Sequence, residues 1–436
     1  MILIYVKKQT PRISYTFKHV CMRILGLEIA FTSTLEKFLA HQGPKISYAK
    51  KPLGGELFYY SEGLLEQQGI ESIEVVVRPW DEIVGIFPAP HGSALPFDVF
   101  SASFYLLSRY EEYLPHVKDE KGRFMASESL AYREGFLQQP VIDIWAYRFK
   151  DSLLAVFPEL ILELHKREMT IHTLIEGAQP YAYAQKGFFR TTIGYLSDLI
   201  KGNFRSFVER TKVVLGFKRD PLNTFKWIVN TAKHSNFKIT VFFMLGDAMT
   251  FEESMNYHRK RLKLLIKYVA DYKEVGLIFS FKSLSDLAAL KKEKNHIEGI
   301  THRDLRSSMN AEVLVNLPDI YRQLVELEVQ KDFTMGYYDT PGFRAGTCTP
   351  FLFYDLDFEI KTPLLIHPVV ARTSMFDSKY SNNKERMVDQ LLQSVAKVHG
   401  YFAMVFSNKD FTGEDQNQVW RAIFSEKLAN FTGVKN

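Results

Sequence analysis

Residues 238–247 read KITVFFMLGD, and this run decides the fold class. From Val241 to Leu245 every residue is apolar. That is the pattern of a strand buried on both faces, as parallel strands require. Gly246 and Asp247 then stop it. Upstream, Met169–Ile175 reads as another strand, followed by a loop from Glu176 to Gly187 that holds Tyr181-Ala-Tyr183. Asp220-Pro221 predicts a helix start, with Asp as cap and Pro in the first turn, running through Trp227 to Lys233. Downstream, helices are expected over 259–271, 285–294, 318–328 and 383–399. Strands are expected over 275–281, 364–370 and 401–407. This alternation, from His165 onward, amounts to about six or seven strand–helix units, a number suited to a barrel closing on itself.

Ahead of it, strands are expected at Met1–Val6, Leu27–Thr32, Ile46–Lys50, Leu57–Tyr60 and Ile73–Val77, with helices at Ile13–Leu25 and Leu35–His41. These make a small α+β domain of mixed order. Leu95–Leu114 (LPFDVFSASFYLLSRYEEYL) carries Phe97, Phe100, Phe104, Leu107 and Tyr110 at helical spacing and should pack one face on a core. Glu111 and Glu112 are adjacent and cannot share a helical face, so they read as solvated. The expected organisation is therefore an α+β domain over 1–160 and an α/β domain over 165–436.

Composition narrows the function classes. With 46% hydrophobic and 24% charged residues, the chain reads as a soluble globular protein. A net charge of +5 over 436 residues does not by itself point to nucleic acid. Its two cysteines, Cys21 and Cys348, offer no disulfide framework, which suits a reducing cytoplasm. The opening MILIYVKK is too short for a signal-peptide core, and no run is long enough to span a membrane. There is no His-x-x-x-His, no cysteine cluster, no glycine-rich phosphate loop and no Gly-x-Ser-x-Gly. Two basic stretches stand out, 205–219 and 258–263. In the second, a solvated helix face is the plain reading and attachment to anionic lipid or an acidic glycan the sharper one.

Residues 334–356, TMGYYDTPGFRAGTCTPFLFYDL, concentrate turn-formers and aromatic rings around one guanidinium, Arg344. Pro341, Gly342 and Gly346 sit where tight turns are expected, and Phe351–Tyr354 reads as a buried strand. Two readings stand side by side. Arg344 grips a sugar or an anion, or it is buried against a carboxylate such as Asp339 or Asp355.

The segments LPFDVFSASFYLLSRYEEYL, SESLAYREGFLQQPVIDIWAY, PYAYAQKGFFRT and TMGYYDTPGFRAGTCTPFLFYDL resemble two-domain bacterial proteins classed with the polysaccharide deacetylases of the NodB-like superfamily. The resemblance spans nearly the whole chain. It implies a distorted (β/α) barrel, a divalent metal such as zinc that polarises an acetamido carbonyl and activates water, and an Asp base. Where the resemblance expects Thr-x-Asp-x-Asp, this chain has Leu174, Glu176 and Ala178. Where it expects Gly-Leu-His-Pro, the chain has Gly276-Leu-Ile278-Phe. Val405-Phe-Ser407-Asn408 stands in place of a late histidine pattern, and the segment near Arg-Gln-His-Phe aligns with Thr301-His302-Arg303-Asp304. The FRAGTC surroundings of Arg344 match throughout.

The expectation is a catalytically degenerate deacetylase-like protein that binds a glycan or partners an active homologue, with no cofactor. Glu176 is the candidate base. Tyr181, Tyr183, Phe343, Arg344 and Thr347 are the candidate substrate contacts. The rival expectation is an active hydrolase of N-acetyl or other C–N bonds, its site rearranged around Glu176 with His172 and His302 as ligands to a metal such as zinc.

Overall fold

The computed structural model describes residues 1–163, 167–184, 186–233, 235–246, 260–377, 383–414 and 417–431. The domain start placed at 165, the stop at Asp247 and the opening of the second basic stretch lie outside the described residues.

The early apolar runs pair as expected. Strands β1 (Ile2–Val6), β2 (Ile29–Thr32), β3 (Lys45–Ala49) and β4 (Leu57–Tyr60) form one sheet in the order β2-β1-β3-β4, and every pairing is parallel. β5 (Val77–Trp80) and β6 (Ile83–Ile86) make a separate antiparallel hairpin, so the 73–77 run contributes only its last residue to a strand. The first helix, Pro11–Phe17, has Pro in its first turn and Thr10 as cap, whose hydroxyl accepts from the Ile13 amide. It continues as a π-helical turn over Lys18–Ile24.

Residues 95–114 depart from expectation. The helix covers only Val99–Leu107, capped by Asp98, which accepts from the Phe100 and Ser101 amides. All nine of its residues are buried, so it is a core helix with no wet face. Arg109 ends it at φ +55°, and a 3-10 turn over Tyr110–Tyr113 swings the two glutamates inward. Glu111 and Glu112 are 7% and 8% exposed, which corrects the solvated reading. Buried carboxylates need cations, and the single guanidinium of Arg109 donates to both.

The second sheet comprises β7 (Thr170–Gly177), β8 (Lys238–Met244), β9 (Glu274–Phe279), β10 (Ser307–Asn310), β11 (Lys331–Asp332), β12 (Phe351–Asp355), β13 (Ile360–Ile366), β14 (Ala371–Arg372) and β15 (Tyr401–Ser407). Their order is β12-β13-β11-β10-β9-β8-β7-β15-β14. Pairing is parallel throughout except between β12 and β13, which makes the sheet mixed. The stretch joining β13 to β14 bonds to both flanks: the Val369 amide donates to Met335 O and the Val370 amide to Ala403 O.

Alternation along these strands separates two environments. Ile171, Ile175, Val241, Phe243, Leu277, Phe279, Phe402 and Phe406 join the large core beneath the helices. Leu174, Phe242, Ile278, Met309, Phe333, Val369, Ala403 and Val405 meet one another in a second cluster. The large core also takes in Ile2, Phe17, Phe100 and Trp145, so both halves of the chain share it.

Candidate functional site

At the C-terminal end of β7, Glu176 projects on the same face as Leu174, two residues on. It lies in the strand, where a loop was expected. One carboxylate oxygen accepts from Arg372 Nη2 at 2.7 Å. Glu176 keeps 33% of its side chain exposed while Arg372 keeps 8%. The guanidinium also lies 3.7 Å from Met309 Sδ. Asp410 follows β15 and accepts from the Ser407 amide at 2.7 Å. Burial, reinforced by the nearby charges of Asp377 and Glu176, pushes the Asp410 carboxyl up to about 6 in spite of its hydrogen bonds. The strand ends thus present a fixed anion–cation pair beside a carboxyl able to exchange a proton near neutrality. Arg372 and Asp410 were not legible as site residues. Only the Ser407-x-x-Asp410 spacing, a capping box, gave a local signal.

Zinc needs about three nitrogen, sulfur or carboxylate ligands. The positions that the resemblance assigns to its ligands hold Ala178, Ile278 and Ser407, and Ile278 packs in the apolar cluster with Val405 and Met309. Glu176 is already ion-paired, and no three His, Cys, Asp or Glu residues converge among the described residues. Among the described residues, those at the strand ends do not fit a zinc site.

The rival ligands are not brought together either. His172 lies four residues before Glu176 on the same strand, about 13 Å away along it. It is buried, its ring bonded to Tyr401 Oη at 2.7 Å and Thr240 Oγ1 at 2.9 Å. Burial lowers its pKa to about 4, so the imidazole is neutral. His302 is exposed and caps the helix Leu287–Thr301 with φ +54°, ahead of β10 and so on the N-terminal side of the strands.

Arg344 is 2% exposed, and its Nε and Nη2 donate to the two oxygens of Glu112 at 2.9 and 2.7 Å. Its Nη1 donates to Gly336 O at 3.0 Å. Its carbonyl accepts from Arg109 Nη1. The partner is neither Asp339 nor Asp355; Asp355 instead takes a fork from Arg322 at 2.6 and 2.8 Å. Burial alone would raise the Glu112 carboxyl, but the guanidinium charges of Arg344 and Arg109 overcome it and hold it at about 2. Phe343 is buried, with its amide on Leu137 O at 2.8 Å. Thr347 is fully buried and donates to Asp143 Oδ2 at 2.6 Å; that carboxylate also takes the Cys348 amide and Arg167. Phe343, Arg344 and Thr347 therefore face the N-terminal half of the chain, in a polar seam closed to solvent, where ligand contact was expected. The turn reading of this stretch does match: Gly342 and Gly346 have φ +152° and +65°.

Tyr181 is buried, and Tyr183 is half-buried with Arg210 4.9 Å over its ring. Their loop is held by Asp220, whose carboxylate accepts the amides of Ala182, Tyr183 and Ala184 at 2.8–2.9 Å. Asp220 therefore caps this loop, and the helix expected from Pro221 begins only at Phe225.

Residues 2–158 match a family of unknown function, DUF7033. No curated protein matches the chain. Among solved structures it is similar to a polysaccharide deacetylase described as putative from Mycobacterium smegmatis, at 10% identity and a TM-score of 0.38, covering 62% of this chain and 87% of that one. It is similar at 12% identity and a TM-score of 0.28 to a mutant of a CE4 family pseudoenzyme with restored enzymatic activity, covering 61% of this chain and 64% of that one. A 4-alpha-glucanotransferase from Thermococcus litoralis is similar at 13% identity and a TM-score of 0.34, covering 61% and 39%. Similarities of this strength assign neither a family nor an activity. No described helix is long and apolar enough to cross a membrane.

Proposed function

We propose that this chain is a deacetylase-like protein of bacterial glycan metabolism that binds a glycan at the C-terminal strand ends and has lost metal-dependent hydrolysis. Its second sheet is read as a distorted (β/α) barrel, because residues 360–372 reach both β11 and β15 and one strand face packs on itself. The observation that carries the functional reading is Glu176. It is the one acid left at the positions the resemblance assigns to base and metal, and it is paired with Arg372 instead. The glycan follows from the four quoted segments, and the exposed Glu176 edge is where a polar ligand would meet the strand ends. A cytoplasmic setting and an active homologue as partner complete the proposal.

A second reading, retained hydrolysis by a rearranged site, is favoured by Asp410, whose carboxyl titrates near 6 beside the Glu176 charge. Glu176→Gln separates the two when acetate release and calorimetric binding are measured with N-acetylglucosamine oligomers. A binding protein changes its Kd by less than about tenfold and shows no turnover in either form. An enzyme releases acetate, and the substitution lowers that rate by about 10²–10⁴-fold.

A further inference from the structure

The helix Phe188–Ile200 is amphipathic in the reverse sense for a surface helix. Gly194, its one buried residue, lies on the side that packs on the following helix. Gly194 lies so close to Arg210 that an added Cβ would fall 2.1 Å from that guanidinium. Asp198 binds Arg210 Nε at 2.8 Å, and Tyr195 meets the Phe207 ring at 5.0 Å. The opposite stripe is apolar and open: Phe189 78%, Ile193 42%, Leu196 54% and Ile200 84% exposed, at the i, i+4, i+7, i+11 spacing of one helical face. The next helix, Phe204–Val214, packs against it and extends the surface with Phe204 and Val208, and Phe217 follows beyond its end. Apolar area of this extent is not left open without an occupant.

Charge identifies the occupant. Residues 186–219 contain eight Lys or Arg and two Asp or Glu, a net +6, whereas the whole chain is +5 and the remainder therefore −1. Both acids are already committed, Asp198 to Arg210 and Glu209 to Lys218. Lys201, Arg205, Lys212 and Arg219 are exposed, Lys201 directly after Ile200 and Arg205 directly after Phe204 in the chain. Open Phe, Ile and Leu flanked by cations is the composition of a helix lying in the headgroup layer of an anionic membrane. The helix has 13 residues, about 20 Å long, and so lies in the interface where a spanning helix would need about 30 Å.

We infer that the helical hairpin over 188–214 docks the protein on the surface of an anionic lipid bilayer, its Phe189, Ile193, Leu196 and Ile200 side chains inserted and Lys201, Arg205 and Lys212 on the headgroups. The inference is independent of the glycan reading, since it uses none of the strand-end residues.

The test is co-flotation of the full chain with vesicles of phosphatidylcholine alone and of phosphatidylcholine with 30 mol% phosphatidylglycerol, at about 0.15 M salt. The wild type should partition at least about tenfold more onto the anionic vesicles. Phe189→Ser/Ile193→Ser/Leu196→Ser should abolish this at an unchanged melting temperature, because the replaced side chains touch solvent. Lys201→Glu/Arg205→Glu should remove the lipid-charge dependence. Equal partition onto both vesicle types, no binding to either, or a dimer by light scattering that the triple serine variant turns into a monomer would overturn the inference; the last result assigns the face to a second copy of the chain.

Discussion

Replacing Glu112 by Gln removes one negative charge and keeps the side chain's shape. The consequence follows from where the charge sits. Glu112 accepts from Arg344 Nε and Nη2 and from Arg109 Nε at 2.7–2.9 Å, and the side chains involved are 1–3% exposed. In the variant, two buried guanidiniums share only Glu111, leaving one uncompensated charge in the seam between the two halves of the chain. Removing one partner from a buried ion pair costs about 3–5 kcal/mol, a large share of the roughly 5–15 kcal/mol that holds an ordinary protein folded. With a urea m-value of about 3 kcal/mol/M, the unfolding midpoint should fall by about 1–1.7 M at pH 7, read from tryptophan fluorescence with Trp145 buried in the shared core. The pH dependence has a definite sign. The folded carboxyl lies at about 2, below its unfolded value near 4.3, so this stabilisation is fully present above about 4.5 and is lost as pH falls toward about 2. The gap between wild type and variant should therefore close in acid. The double variant Glu112→Gln/Arg344→Gln should lose less than the sum of the singles, since the two side chains touch. A loss below about 1 kcal/mol at pH 7, or additive singles, would refute the counter-ion assignment.

Three further outcomes are expected. Gly346→Ala should destabilise by about 1–3 kcal/mol, because φ is +65° and the new Cβ would lie 2.6 Å from Leu106 Cδ1; urea unfolding measures it. Asp332 is buried, and burial pushes its carboxyl up to about 6, so its contribution is favourable below about 3.9 and is lost as pH rises through 6. Relative to wild type, Asp332→Asn should therefore gain roughly 3 kcal/mol between pH 3.5 and pH 7.5, and a constant difference across that range would contradict the assignment. His172→Ala should cost stability through the lost bonds to Tyr401 and Thr240 and leave zinc affinity unchanged, measured by melting and by zinc titration.

What could be read from the sequence was local. The run Lys238–Leu245 became β8 because an unbroken apolar segment has one good solution, burial on both faces, and Tyr401–Ser407 became β15 with the same limits. The turns at Gly342 and Gly346 were legible for a similar reason, since glycine marks the dihedral itself. Partnerships were not legible. Arg344 finds Glu112 across 232 positions and Arg372 finds Glu176 across 196, and no spacing rule reaches that far. Glu111 and Glu112 looked solvated because carboxylates rarely bury without a cation, and the cation was Arg109, whose left-handed backbone turns them inward. Of the hairpin over 188–214 only the basic stretch from Arg205 was read, and its apolar stripe was missed; such a stripe does not by itself say whether it faces protein or solvent.

Whether the strand ends hold a metal ion is decided by the metal content of the protein. The purified protein would be assayed by elemental mass spectrometry before and after incubation with zinc, cobalt and manganese, alongside Glu176→Gln. Less than about a tenth of an equivalent should be retained in both proteins. Near one equivalent in the wild type, abolished by Glu176→Gln, would contradict the loss of the metal site and favour the rearranged hydrolase.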